Sequence, residues 1–424
     1  MPLSSLSKYA AYVVLALNLA ACSYFLPNTT PTLGGLLAAK GDTRPFEVPL
    51  PVNTEPKRMA LSSEFTIGVK ADGTVWGWGS GTEGELGMGK KENRPTPQAI
   101  PNMTNFIEVA AGDHHVLALR KDGTVWSWGN NKTGALGYKE EGVPWGIAPE
   151  IRYDPYQLSP RQIPDLKDIV SIAAGSDFSL ALDKEGRVWG WGSESYILNN
   201  KANREDIRKT PTVVYENKSA VKVVASSFDS AVLTKNGEGI VWKNVYPSHS
   251  KVMPILLSSL FEKSHEPIVD IVFSPAYGDI YVLTNDGFVY AQGFNSEGGL
   301  GDGTFTPRKT FVKVKNIGRI KAITNAMAMD EKGRLWRWGG GIYWRPNIVG
   351  FNSNREPYPI NIFTSKSLIF VTADNGSAAL GLDNGEVRFL LRESVGIRGT
   401  GKPSPQYESS KHLLTPEKSL WTWK

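Results

Sequence analysis

Short apolar runs broken by glycine turns dominate this chain. Val116-Leu117-Ala118-Leu119 and Phe178-Ser179-Leu180-Ala181-Leu182 each precede a turn, and a Val-Trp-x-Trp run follows it. Two strand-like runs joined by Asp-Gly, Asn-Gly or Glu-Gly predict a β-hairpin, because such dipeptides tolerate the positive φ of a tight turn. The hairpin recurs. Asp72-Gly73-Thr74-Val75-Trp76-Gly77-Trp78-Gly79 returns as residues 122–129 and 185–192, and weaker copies surround Gly237, Gly287, Gly333 and Gly385. The seven turn glycines lie 46 to 63 residues apart. A fixed motif at that period predicts stacked supersecondary units, none of which can bury its apolar face alone.

The two tryptophans of each full motif are at i and i+2, on one face of their strand. Nine of the 13 tryptophans occupy these hairpins. Repeated around a ring, that face is expected to meet the next blade and fill the wedge between them. Truncating Trp126 or Trp189 to Ala is then expected to cost about 3–5 kcal/mol.

A second element follows three of the hairpins: Gly79-x4-Gly84-x-Leu86-Gly87, Gly129-x4-Gly134-x-Leu136-Gly137 and Gly293-x4-Gly298-x-Leu300-Gly301. None ends in the Gly-Lys-Ser/Thr of a phosphate-binding loop or opens a helix-period segment, so the glycines are read as tight structural loops.

Together with Ala110-Ala111-Gly112 and Ala173-Ala174-Gly175, these elements resemble the RCC1 (regulator of chromosome condensation) repeat. The resemblance covers about residues 57 to 424 and is weakest near Gly237 and Gly385. At Gly385, Arg388 and Leu390 replace the aromatic pair. It implies an all-β fold, a seven-bladed β-propeller with four-stranded antiparallel blades. Residues 413–423 fit the hairpin template with Lys418 in place of the glycine, but lie too close to Gly385 for another full blade. The resemblance implies ring closure by strands from both chain ends in one blade, with eight blades as the alternative.

The N-terminus changes the picture. Tyr9 to Ala21 is apolar apart from Asn18, and at thirteen residues it is too short to span a bilayer, where about 20 are needed. It has the proportions of a signal-peptide core. It ends in Leu19-Ala20-Ala21-Cys22, which resembles the bacterial lipobox, and Cys22 is the sole cysteine. The expectation is a signal peptide at 1–21, a lipidated Cys22 opening a flexible tether at 22–56, and the propeller at 57–424. A palmitate-type anchor would attach the chain to the cell envelope. Ser23 after the cysteine implies the outer membrane, by analogy with lipoprotein sorting. The tether has an r.m.s. reach of about 30 Å if flexible. With one cysteine, no internal disulfide can form.

Composition narrows function by exclusion. Hydrophobic residues at 41% suit a large soluble core, and a net charge of +5 without a run of five basic residues does not suggest nucleic-acid binding. No hydrolase, metalloprotease or calcium-loop motif is present. Ser248-x-x-Lys251 stands without a companion motif, and His115 occupies the slot of Phe65 and Phe178 in sister repeats, as a packed strand residue would. No catalytic residue, metal or cofactor is expected.

The candidates that remain are loops. The segment from Tyr138 to Pro164 holds Trp145, Tyr153 and Tyr156, and that from Gly339 to Phe363 holds Tyr343, Trp344, Arg345 and Arg355. Trp, Tyr and Arg dominate binding hot spots, and loops on rigid scaffolds carry recognition. Tyr343, Trp344, Arg345 and, more weakly, Trp145 are expected to contact a protein partner, with the chain itself a monomer. The function expected is an envelope-anchored, non-catalytic binding scaffold. The alternative is an inhibitor of a secreted or periplasmic enzyme, similar to the propeller inhibitors of β-lactamases. Nucleotide exchange on a small GTPase, the family's eponymous role, conflicts with an export signal.

Overall fold

The computed structural model describes residues 53, 57–138, 155–193, 207–243, 254–274, 278–324, 327–339, 357–374, 377–390 and 417–422. The chain divides into two compact units, 1–49 and 50–424; the first lies wholly outside the described residues, and the second holds every strand named below. No helix among the described residues is long and apolar enough to cross a membrane.

Seven four-stranded antiparallel sheets follow one another along the chain, each a simple meander. They are blade 1 (59–99), blade 2 (106–162), blade 3 (169–216), blade 4 (220–256), blade 5 (268–313), blade 6 (320–364) and blade 7 (368–422). The first strand of each blade lies against the first strand of the next, and that of blade 7 (Leu368–Asp374) lies against that of blade 1 (Met59–Leu61). The result is the seven-bladed β-propeller that the repeat implied.

Each Asp-Gly, Asn-Gly or Glu-Gly pair, and Lys332-Gly333, turns the second strand into the third. All seven turn glycines have φ between 73° and 89°, a region costly for other residues. The turn also ties its blade to the next: the Gly73 carbonyl accepts from Phe106 N–H, that of Gly123 from Ile169 and that of Gly237 from Ile268. The outer strands, such as Arg94–Ala99 with Pro95 and Pro97, are more exposed. Proline there blunts an open sheet edge without breaking an inner ladder.

The apolar core is divided among the wedges between blades. Phe65, Ile67 and Leu86 of blade 1 pack with Val109, Val116 and Trp128 of blade 2, and similar clusters follow around the ring. The last wedge sets Ala379 and Val387 of blade 7 against Met59, Leu61 and Trp78 of blade 1. Val387 thus packs its blade although the aromatic pair is missing there.

Two expectations need correction. The tryptophans of a pair are not equivalent: Trp78, Trp128, Trp191 and Trp338 are fully buried, whereas Trp76, Trp126, Trp189 and Trp336 are half-buried beside the same wedges. The first of each pair stands near the turn, at the rim. Trp189 and Trp336 there donate their indole N–H to Asp183 and Asp330 across the turn. Trp126 and Trp189 are therefore not the wedge fillers; Trp128 and Trp191 are.

The ring is also not closed by strand exchange. Glu417–Thr422 is the outer strand of blade 7, paired with Glu386–Leu390, and blade 1 comes entirely from the other end of the sequence. The Trp-x-Trp alternation that suggested a hairpin at the chain end is a period-two pattern, which a single outer strand carries equally well.

Candidate interaction face

The meander gives the ring two distinct ends. Every connection from second to third strand is a tight turn at one end. The first-to-second loops lie at the other, the loop end, where the third strands also end and the fourth strands begin.

At the loop end the glycine-rich loops and buried tryptophans interlock. Trp128 of blade 2 donates its indole N–H to the Glu85 carbonyl (2.7 Å), Trp191 of blade 3 to that of Ala135 (2.8 Å), and Trp338 of blade 6 to that of Gly299 (2.8 Å). In all three the acceptor is the residue between glycine and leucine of the Gly-x-Leu-Gly element in the preceding blade. The two repeated motifs are therefore halves of one latch. It sets each loop rigidly, since a buried indole N–H without an acceptor would cost about 1–3 kcal/mol.

His115 belongs to this scaffold. It is buried, its Nε2 lies 2.9 Å from Ser179 Oγ, and that hydroxyl donates to the Ala135 carbonyl. The hydroxyl having spent its only proton, His115 Nε2 is the donor. Burial pushes the imidazole pKa down to about 4, so the ring is neutral.

First-to-second loops link around the same end. Ser62 Oγ donates to the Asp113 carbonyl, Asp113 N–H to Ser176 and Ser176 N–H to Ser227. Between blades 1 and 2, His114 Nδ1 lies 3.3 Å from Glu83 and 3.8 Å from Glu85. Hydrogen bonding to Glu85, with the charge of Glu83, raises the His114 pKa. Two carboxylates and an imidazole are a donor set that suits a divalent cation. Here Glu83 also accepts from Asn130 and Tyr156 and lies 3.9 Å from Lys132, while Glu85 accepts the Glu83 N–H. Its donors are already engaged, and the cluster reads as an ion-pair network fastening two blades. Tyr156, which the sequence placed in a binding segment, starts the outer strand of blade 2 under the ammonium groups of Lys91 and Lys132 (3.8 and 5.1 Å from its ring).

On blade 5, Asn295 is buried and donates to Thr304 and Thr306, and Asp302 accepts from Arg308 through two guanidinium nitrogens. Burial raises the Asp279 pKa to about 6. Over this rigid base stand exposed aromatics: Phe294 (64% exposed), Phe305 and Tyr358, with Phe228 on blade 4. Sequence reasoning missed them. The signal was present, since Phe294 fills the slot after the motif glycine that holds Ser80, Asn130 and Ser193 in sister blades.

Tyr343, Trp344, Arg345 and Trp145 lie outside the described residues, as does Cys22. The segments that carry them leave the blades at Gly339 and Tyr138 and rejoin them at Pro357 and Pro155, at the loop end.

Fold and face together define a seven-bladed propeller with three of its blade junctions latched at the end where third strands give way to fourth. The repeat is the RCC1 repeat: residues 72–119 and 122–182 match the family model described as the regulator of chromosome condensation (RCC1) repeat, and a second model of that description matches 106–135 and 169–196. Human E3 ubiquitin-protein ligase HERC2 is 30% identical over 247 residues, which cover 55% of this chain and 5% of that protein. Mouse regulator of chromosome condensation is 27% identical over 274 residues, covering 57% and 64%. The chain thus spans less than two thirds of either relative's length. Yeast RCC1 (Prp20), solved bound to Kap60, superposes with a TM-score of 0.64 at 18% identity, covering 93% of this chain and 92% of that one, a likeness of fold.

Proposed function

We propose that this chain is a non-catalytic, protein-binding propeller held at the bacterial cell envelope by a lipid on Cys22, and that its loop end receives the partner. One observation carries the reading: three latches fix the glycine-rich loops of blades 1, 2 and 5 at the loop end, where the large exposed aromatics Phe228, Phe294 and Phe305 also stand. Rigid aromatic loops bind with little loss of side-chain entropy. Yeast Prp20, of the same fold, was solved bound to a protein, Kap60, which agrees with a propeller of this kind serving as a binding platform. Tyr343, Trp344, Arg345 and Trp145 supply the contacts on this reading, and the lipid is the route to the outer membrane.

The test is capture from envelope extract with residues 50–424, set against variants carrying Trp344→Ala or Phe294→Ala. A partner recovered by the parent domain and lost with both variants supports the loop end. Recovery of a single hydrolase whose activity falls on binding selects the inhibitor reading instead. A partner retained equally by both variants places binding on the turn end and overturns the assignment.

A further inference from the structure

The innermost strands carry a ring of side chains that a propeller core does not need. Those of blades 2 to 7 have a register shift near their start, and four of the residues just after that shift are Glu108, Ser171, Lys222 and Asp270, on blades 2 to 5. All four are buried. Lys222 Nζ donates to Asp270 Oδ1 at 2.9 Å, joining blades 4 and 5. Buried charge is costly unless paired and hydrogen-bonded. Further partners come from outside the blades.

They come from the residues ahead of blade 1. Asn53 donates its side-chain amide to the second oxygen of Asp270 (2.6 Å) and its backbone N–H to the Val269 carbonyl (2.7 Å), both on the first strand of blade 5. Four residues later the Lys57 carbonyl accepts from Val109 N–H of blade 2 (2.9 Å). The Lys57 backbone N–H, with that of Ile172 from blade 3, donates to the Glu108 carboxyl. Arg58 then accepts from Val69 N–H and begins the first strand of blade 1. Within six residues the chain is fixed to blade 5 and blade 2 and enters blade 1, at the end where the first strands start. Four residues span at most about 14 Å, so these contacts leave little slack.

We infer that Asn53 and Lys57, four residues apart in the chain and bound to blades 5 and 2, act together as a strap that holds blade 5 to blades 1 and 2 and does the work of the strand exchange this propeller lacks. Blades 1 and 7 share no sheet, and among the described residues side-chain packing joins them at that seam. A strap anchored on opposite sides of the axis resists opening of the seam, because separating blade 7 from blade 1 requires the inner ring to widen.

Hydrogen–deuterium exchange of the 50–424 unit tests it. Asn53→Ala removes the amide from Asp270. A second variant with three glycines inserted after Thr54 keeps both anchor residues and adds only slack. At least tenfold faster exchange is expected in both variants across 268–273, 106–111 and the seam strands Met59–Leu61 and Ser377–Leu382, with Phe178–Asp183 of blade 3 unchanged. Faster exchange confined to 268–273, or wild-type exchange at the seam in the insertion variant, overturns the strap. Should Asn53→Ala fail to fold, the insertion variant decides alone.

Discussion

The indole N–H of Trp191 donates to the main-chain carbonyl of Ala135, 56 residues earlier and one blade back. Trp191 is fully buried in the wedge between blades 2 and 3, whereas Trp189 reaches that wedge from its rim. Trp191→Ala is expected to destabilise the propeller by about 3–5 kcal/mol, the range for a large buried aromatic. Trp189→Ala should cost less, about 1–3 kcal/mol. Urea midpoints of the two variants check the order, and equal losses would mean that both residues fill the wedge.

The other half of the latch is testable at Gly137. Its φ is 79°, and a Cβ placed there would stand 2.9 Å from Trp191 Nε1. Gly137→Ala therefore combines backbone strain with a clash at the latch and should cost about 1–3 kcal/mol or more. Gly89 has a similar φ of 75°, but its Cβ would meet only Ser159 Oγ at 3.6 Å. Gly89→Ala should be the milder change in the same denaturation experiment.

Two buried groups set opposing pH dependences. Burial raises the Glu108 pKa to about 7, against the attraction of Lys57 and Lys222. The folded state then holds a proton that the unfolded state releases near 4.5, so this group's stabilising contribution is lost as pH rises from 4.5 through 7. His115 runs the other way: its contribution is full above 6.5 and is lost as pH falls through about 4. Glu108→Gln should therefore raise the melting temperature relative to the parent at pH 8 and much less at pH 5. A constant offset between the two pH values would place Glu108 in solvent.

For the proposed interface, Trp344→Ala should weaken capture by about 2 kcal/mol or more, as at a typical hot spot, and leave the melting temperature unchanged. Trp145→Ala should have a smaller effect. A drop in melting temperature with either variant would make that loop a structural anchor.

Membrane attachment is tested separately. Cys22→Ala in the full chain should abolish labelling by a palmitate analogue and shift the protein to the soluble fraction or leave it unprocessed. Unchanged fractionation and labelling would remove the lipid from the proposal without touching the fold.

The hairpins, their glycines, the blade count and the packed role of His115 were legible because each follows from a local rule: strand periodicity, positive φ, or a slot shared among sister repeats. The difference between Trp189 and Trp191 was not, because both obey the same period-two rule and only the neighbouring blade's loop distinguishes them. Ring closure failed for a related reason: alternation at Trp421 and Trp423 identifies a strand but not its partner. The charges at Glu108, Lys222 and Asp270 gave no signal, since they stand singly on three strands far apart in sequence. Phe294 could have been found by comparing slots between blades, where an aromatic replaces small polar residues.

Asn53 and Asp270 are 217 residues apart, whereas each sheet pairs strands that follow one another along the chain. Local pairings close short loops and form early; long ones carry a larger entropic cost and form late. Refolding should therefore proceed blade by blade and end in a distinct first-order step when the seven-blade arc joins. Substitutions at Met59 or Val387 should slow that last phase, and substitutions within blade 3 should act on earlier ones. Until that step is complete the molecule is an open arc, with the first strand of blade 1 and the inner face of blade 7 bare to water and to other copies of the chain.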